Sequence, residues 1–235
     1  DLTLEVCSNS IDGKDLMQIV PVFGGPKTPN TLWWLTGLML FLEGMAQLSD
    51  HGWFGVLDLR SLMISYGAFW DFLFPPGTVD QALFLGQSYA MLITHAFLHA
   101  GTIHVLMNTV IFIALGKTLA VYFGLRLTLL TMLVGAISSG VMFGLLESTS
   151  APMVGASGVV FSLIGFWLHV SRAELKRLGR PGRSVASVII SLIVIHVLLH
   201  VFMGGQIAWQ AHFGGFVAGY FFMPWFIDRH RLPSH

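Results

Sequence analysis

Charge is what this sequence has least of. Lys, Arg, Asp and Glu make up 10% of the 235 residues and hydrophobic residues 54%, whereas a domain held in solution by its own surface carries about a quarter charged residues. That excludes an ordinary water-soluble globule. Twelve basic residues balance twelve acidic ones, so there is no chain-wide positive field of the kind that recruits nucleic acid. Cysteine is nearly absent, and the single Cys7 excludes an intramolecular disulfide. No internal repeat or low-complexity tract is present, and residues 1–30 lack the basic start and short apolar core of a cleaved secretory signal. The apolar stretches do not alternate with polar residues as barrel strands do.

What the chain does have is long apolar runs, at about 31–49, 101–116, 125–146, 156–170, 185–203 and 208–227. Most approach the roughly 20 residues an α-helix needs to cross the hydrocarbon layer. Lipid offers the backbone no hydrogen-bond partner, so such runs should be helices. The sequence therefore predicts an all-α, polytopic membrane protein of six transmembrane helices. The stretch 50–100, with "FLFPPG" among many aromatics, reads as a long loop at the outer interface after the first helix. The organisation is a cytoplasmic tail (1–30), a six-helix membrane domain (31–228) and a short cytoplasmic tail (229–235).

Basic residues collect on the cytoplasmic side of membrane proteins. With the N-terminus inside, the inner segments hold Lys14, Lys27, Lys117, Arg126, Arg172, Lys176, Arg177, Arg180, Arg183, Arg229 and Arg231, and only Arg60 falls outside. The opposite orientation would reverse that ratio. The run "RAELKRLGRPGR" is then a cytoplasmic anchor loop.

In this orientation the second, fourth and sixth helices all start on the outside, and each start is polar: "HAGTIHVLMN", "GASG" and "WQAHFGG". His104, Asn108, Ser157 and His212 should share one layer of the membrane, where polar groups are costly and face the bundle interior. If the fourth helix runs from Ser157 to Val170 it is roughly 21 Å long, short of a roughly 30 Å hydrocarbon core. Ser157 would then lie below the outer surface, under a cavity, with the non-helical "PMVGA" beside it. Gly215 and Gly219 offer a small face to Gly158 and Ser162, and close approach of the two helices would bring the serine hydroxyl to the His212 imidazole. Ser157 also stands at a helix N-terminus, where free N–H groups favour developing negative charge. His104 and Asn108, four apart, project from one helix face and could donate to an oxyanion. A nucleophile, a general base and a donor set are the minimum for acyl transfer. No acidic third member is evident, since Glu43 and Glu147 are not near His212 by helix register. Packing against a ring such as Phe161 could orient the base instead.

Each residue also has a plainer reading. A serine in a membrane helix more often eases packing, and His104 with Asn108 could be interhelical hydrogen-bond glue. His196 and His200, in "HVLLH", read as a polar stripe at an internal cavity.

Taken together, "HAFLHAGTIHVLMN", "GASGVVFSLIG" and "AHFGGFVAG", in this order over about residues 90–228, resemble the rhomboid intramembrane serine proteases. The resemblance implies a rhomboid-like six-helix bundle in which Ser157 is the nucleophile, His212 the general base, and His104 and Asn108 stabilise the oxyanion. His95 and His99 match first-loop histidines with a structural role. It further implies a transmembrane protein substrate entering sideways from the lipid bilayer, cleavage through an acyl-enzyme, no metal or organic cofactor, no nucleic-acid partner, and a bacterial cytoplasmic membrane with both termini cytoplasmic. The chain departs from the family pattern at Phe161, often Tyr; at Gln210, often Gly; at Ala90 and Met91, in place of a Trp-Arg pair; and at Ala120, often Glu. None of these removes a catalytic atom. Two alternatives remain: a rhomboid-like protein that binds membrane clients without cutting them, and a metal enzyme built on the HxxxH pairs "HAFLH" and "HVLLH".

Overall fold

A computed structural model describes residues 27–74, 81–146, 151–179, 183–202 and 207–230. Cys7, Lys14, Glu147, Arg180 and Arg231 lie outside the described residues, as do most of both tails. The described residues form α-helices with short 3-10 and π segments and one isolated two-residue antiparallel bridge. In chain order the α-helices are α1 (Asn30–Asp50), α2 (Leu59–Gly67), α3 (Gln87–Thr94), α4 (Thr102–Phe123), α5 (Leu125–Leu146), α6 (Ser157–Arg177), α7 (Arg183–Phe202), α8 (Trp209–Val217) and α9 (Met223–His230). Of these, α4 and α5 are long and apolar enough to cross a membrane by length and composition.

The surface has the polarity that lipid favours. On α7, Ile190, Ile193, Val194, Val197 and Val201 are all exposed, and on α1 so are Trp33, Trp34 and Phe41. A contiguous apolar exterior of this kind would aggregate in water and suits hydrocarbon. Inside the helices, hydroxyls are satisfied locally: Thr109, Thr118, Thr128 and Thr131 each donate to the carbonyl four residues back.

The core explains how the elements are held. Leu32 of α1, Phe112 and Leu119 of α4, Met132 of α5, and Leu163 and Phe166 of α6 form one buried cluster, which places α6 inside the bundle. A second cluster, with Phe69, Leu73, Met91, Phe143 and Met153, packs the α2–α3 region against α5 and the segment before α6. A smaller cluster joins α7 to α6 and the last helical segment, with Leu168, Val185 and Tyr220 buried and Ile164, Trp167, Ile189 and Leu192 partly buried around them.

Three details differ from the sequence expectation. The helix that begins at Ser157 continues past Val170 to Arg177, because "SRAELKR" is made of good helix formers and closes with a Glu174–Arg177 pair whose Arg177 Nε lies 2.9 Å from Glu174 Oε2. An apolar run ends where lipid ends, not where the helix does. The stretch after α1 is not featureless, since α2 is capped by Asp58, whose carboxylate accepts from the Ser61 N–H at 2.9 Å. The last apolar run is broken by a π segment at Ala218–Phe222 just before Pro224. A proline has no N–H to return to the carbonyl four residues earlier, and its ring crowds that carbonyl, so the turn widens.

Arg60, the lone basic residue expected outside, reaches back to α1. Its guanidinium lies 2.9 Å from Glu43 Oε1 and 2.7 Å from Asp50 Oδ2, and it also donates to the His99 carbonyl at 3.1 Å. Hydrogen bonding to Glu43 raises the Arg60 pKa above its ordinary value. The Glu43 side chain is only 3% exposed, so removing its cation would strand a carboxylate in the bundle. Arg60→Ala is expected to cost about 2–4 kcal/mol, the cost of orphaning a buried charge discounted for the partial exposure of the arginine. A thermal melt of the purified protein in detergent would read this as a midpoint several degrees lower, and Arg60→Lys should recover part of it.

Candidate active site

Ser157 is the first residue of α6 and His212 lies in the first turn of α8, 55 positions later. Their side chains meet: Ser157 Oγ is 2.7 Å from His212 Nε2. The approach depends on missing side chains. A Cβ added to Gly215 would collide with the Gly158 carbonyl, one added to Gly219 with the Ser162 carbonyl, and one added to Gly165 with the Phe216 carbonyl. Backbone rests on backbone over two turns, which brings the helices closer than ordinary side chains would permit.

The imidazole is held on two further sides. The Phe161 ring, one turn below Ser157, stacks on His212 with centroids 4.5 Å apart and planes 9° apart. His212 Nδ1 lies 3.3 Å from Nδ1 of His196 on α7. Sequence reasoning named Phe161 as a possible packing ring but missed the His196 contact. A histidine on a neighbouring apolar helix was the available signal.

On the other side stands His104, in the first turn of α4. Its Nδ1 accepts from the Ala100 N–H at 3.4 Å, so the neutral ring carries its proton on Nε2. A Cβ added to Gly155 would stand 2.9 Å from His104 Nε2 and would have Ser157 Oγ 3.7 Å away. Any side chain at 155 would collide with the His104 ring, so glycine is what lets that ring, with its N–H donor, stand close to the serine hydroxyl. Asn108 is buried one turn along α4, where its Nδ2 donates to the His104 carbonyl at 3.0 Å. Its amide is engaged within its own helix rather than with Ser157.

The segment before α6 is non-helical yet well bonded. Met153 exchanges two 2.9 Å hydrogen bonds with Phe69, and the Gly155 N–H donates to the His95 carbonyl at 2.9 Å. The Ala156 N–H donates to His99 Nε2 at 3.4 Å, and His95 Nε2–H donates to the Ala136 carbonyl at 3.2 Å. The two first-loop histidines therefore brace the segment that presents Ser157. Gly155 has φ +127°, a conformation that L side chains rarely adopt. Glu43 is bound to Arg60, not to His212. Among the described residues no three His, Cys, Asp or Glu side chains come together as a metal-ligand group.

Comparison with known proteins points to one family. The Rhomboid domain family model matches residues 86–229. A protein named Rhomboid protease GlpG from Photorhabdus laumondii is 32% identical over 144 residues, which cover 61% of this chain and 49% of that protein. One of the same name from Yersinia pestis is 31% identical over 134 residues, covering 57% of this chain and 46% of that protein. The chain spans about half the length of the curated relatives it matches. With more than half of its residues inside the domain match, the chain belongs to the rhomboid family.

Proposed function

We propose that the protein is an intramembrane serine endopeptidase that cuts a transmembrane substrate near the outer end of its membrane segment. The observation that carries this reading is the 2.7 Å approach of Ser157 Oγ to His212 Nε2 at the start of a helix. The Ser157 hydroxyl donates to His212 Nε2, and as its oxygen attacks a substrate carbonyl the proton moves to that nitrogen. Negative charge then develops on the former carbonyl oxygen. The Ser157 backbone N–H, which belongs to the helix's first turn and has no partner within it, is one donor for that charge. His104 Nε2–H is a second, and the Asn108 amide a third once substrate draws it from the His104 carbonyl. His212 returns the proton to the leaving amine, which leaves an acyl-enzyme on Ser157. A water reaching the site from the outside, deprotonated by His212, releases the second product. Each step uses groups the chain already has, so no metal or organic cofactor is required.

The same reading extends to the bundle. The six spans are α1, α4, α5, α6, α7 and the combined α8–α9 helix; the α2–α3 region lies at the outer interface; and residues 31–228 are the membrane domain between cytoplasmic tails at 1–30 and 229–235. The side-by-side order of basic segments supports this orientation, and the bacterial relatives support a bacterial cytoplasmic membrane. Substrate is a membrane protein arriving through the lipid bilayer, not nucleic acid.

The test is cleavage of a single-span reporter by the purified chain in proteoliposomes, with and without a chelator. Chelator-indifferent cleavage that needs Ser157 supports the reading, and uncut reporter bound tightly by the parent would favour the client-binding alternative. His104→Ala should lower kcat about 100- to 1,000-fold, the usual cost of one oxyanion donor, with KM nearly unchanged. A KM effect alone would assign His104 to binding.

A further inference from the structure

We infer that His196 on α7 is the orienting partner of His212, an imidazole standing where other serine hydrolases use a carboxylate. The inference rests on the Ser157–His212 reading above. For Ser157 to donate its proton, His212 Nε2 must offer a lone pair, so neutral His212 must carry its own proton on Nδ1. That Nδ1 lies 3.3 Å from His196 Nδ1. Both nitrogens cannot be protonated in a hydrogen bond, so His196 presents a lone pair at Nδ1 and carries its proton on Nε2. The two imidazoles lie 4.8 Å apart between centroids with their planes at 75°, and His196 also stands edge-on to Phe161 at 6.0 Å, so the three rings form one packed group. Phe161 fixes the plane of His212, and His196 fixes its rotation within that plane and its tautomer.

The bond matters more as reaction proceeds. When His212 accepts the serine proton it becomes a cation, and the Nδ1–H to His196 contact becomes a charge-assisted hydrogen bond, stronger than in the resting state. An interaction that strengthens toward the transition state accelerates the reaction. A neutral imidazole accepts less strongly than a carboxylate, so the benefit should fall below the roughly 10⁴-fold associated with a triad aspartate. His196 Nε2, and Nδ1 of His200 one turn further along α7, are buried without a hydrogen-bond partner among the described residues. That leaves the outer side of His196 free of competing bonds.

Two substitutions separate this role from packing. His196→Phe keeps a ring of similar shape and removes the acceptor. His196→Asn loses the ring but places an amide oxygen close to the Nδ1 position. With the full chain and the single-span reporter, kcat for His196→Phe should fall about 10- to 100-fold with KM unchanged, the range for a hydrogen bond to a charged group, while His196→Asn should stay within about 3-fold of the parent. A packing role gives the reverse order, and His196→Phe matching the parent would overturn the inference. Nitrogen-15 NMR of histidine-labelled protein gives a second readout that survives poor activity: His212 should be protonated at Nδ1 in the parent and lose that preference in His196→Phe, and an unchanged tautomer would also overturn it. Ser157→Ala is run alongside. Cleavage that survives Ser157→Ala removes the underlying reading; cleavage that requires Ser157 but ignores His196→Phe removes only this inference.

Discussion

Ser157→Ala is expected to lower reporter cleavage at least about 10⁴-fold, with the protein still folded. The hydroxyl is the only group lost, at the half-buried start of a helix that has no side-chain cap, so stability should change by about 1 kcal/mol, the net worth of one hydrogen bond. Activity should collapse because no other side chain stands within bonding distance of His212 Nε2 in the described structure. His212→Ala should cost a similar factor, and the double variant little more, because nucleophile and base act as one unit and their losses do not add. What remains would be the contribution of the donors and of substrate binding alone. Kinetics of the three variants at saturating reporter, with melting curves for each, check this. Additive losses would separate the two residues into different roles.

Gly215→Ala is the second large effect, and it acts without touching a reacting atom. The added methyl would overlap the Gly158 carbonyl, and a backbone carbonyl inside a packed helix cannot swing aside like the end of a side chain. The strain can be relieved only by moving α8 away from α6. Overpacking of this kind typically costs 1–3 kcal/mol. The functional loss should be larger than the stability loss suggests: the 2.7 Å contact between Ser157 and His212 opens, and about 1 Å of misplacement can cost roughly 100-fold in rate. Gly219→Ala, one turn lower against the Ser162 carbonyl, should destabilise as much and slow catalysis less. Melting temperature and kcat measured on both variants check the order. A Gly215→Ala protein as stable and active as the parent would rule out the close approach of the two helices.

Much of this was legible in the sequence because membrane helices limit what polar and small residues can mean. Glycines four apart signal close helix contact, a serine after glycines at a helix start signals free N–H groups, and so the 55-residue gap between Ser157 and His212 could be bridged on paper. Other features were not legible for definite physical reasons. Hydropathy marks the lipid boundary, so it could not see that α6 continues to Arg177 through charged residues that favour helix. The pairing of Phe69 with Met153 is two backbone bonds between segments 84 positions apart, and carries no side-chain signature. A glutamate in an apolar helix needs a cation, and Arg60 is the only basic residue expected on the outer side, but the turn that brings Arg60 back to Glu43 has no signature of its own in the sequence. The contact of His196 with His212 depends on how α7 is rotated about its axis, and a helix apolar on nearly every face does not encode that rotation.

The measurement closest to the central claim is covalent trapping. Purified protein incubated with a fluorophosphonate, digested and examined by mass spectrometry should carry the adduct on Ser157, and His212→Ala should slow its formation by orders of magnitude. An adduct absent from Ser157 in protein that cleaves the reporter, or formed equally fast without His212, would contradict the account.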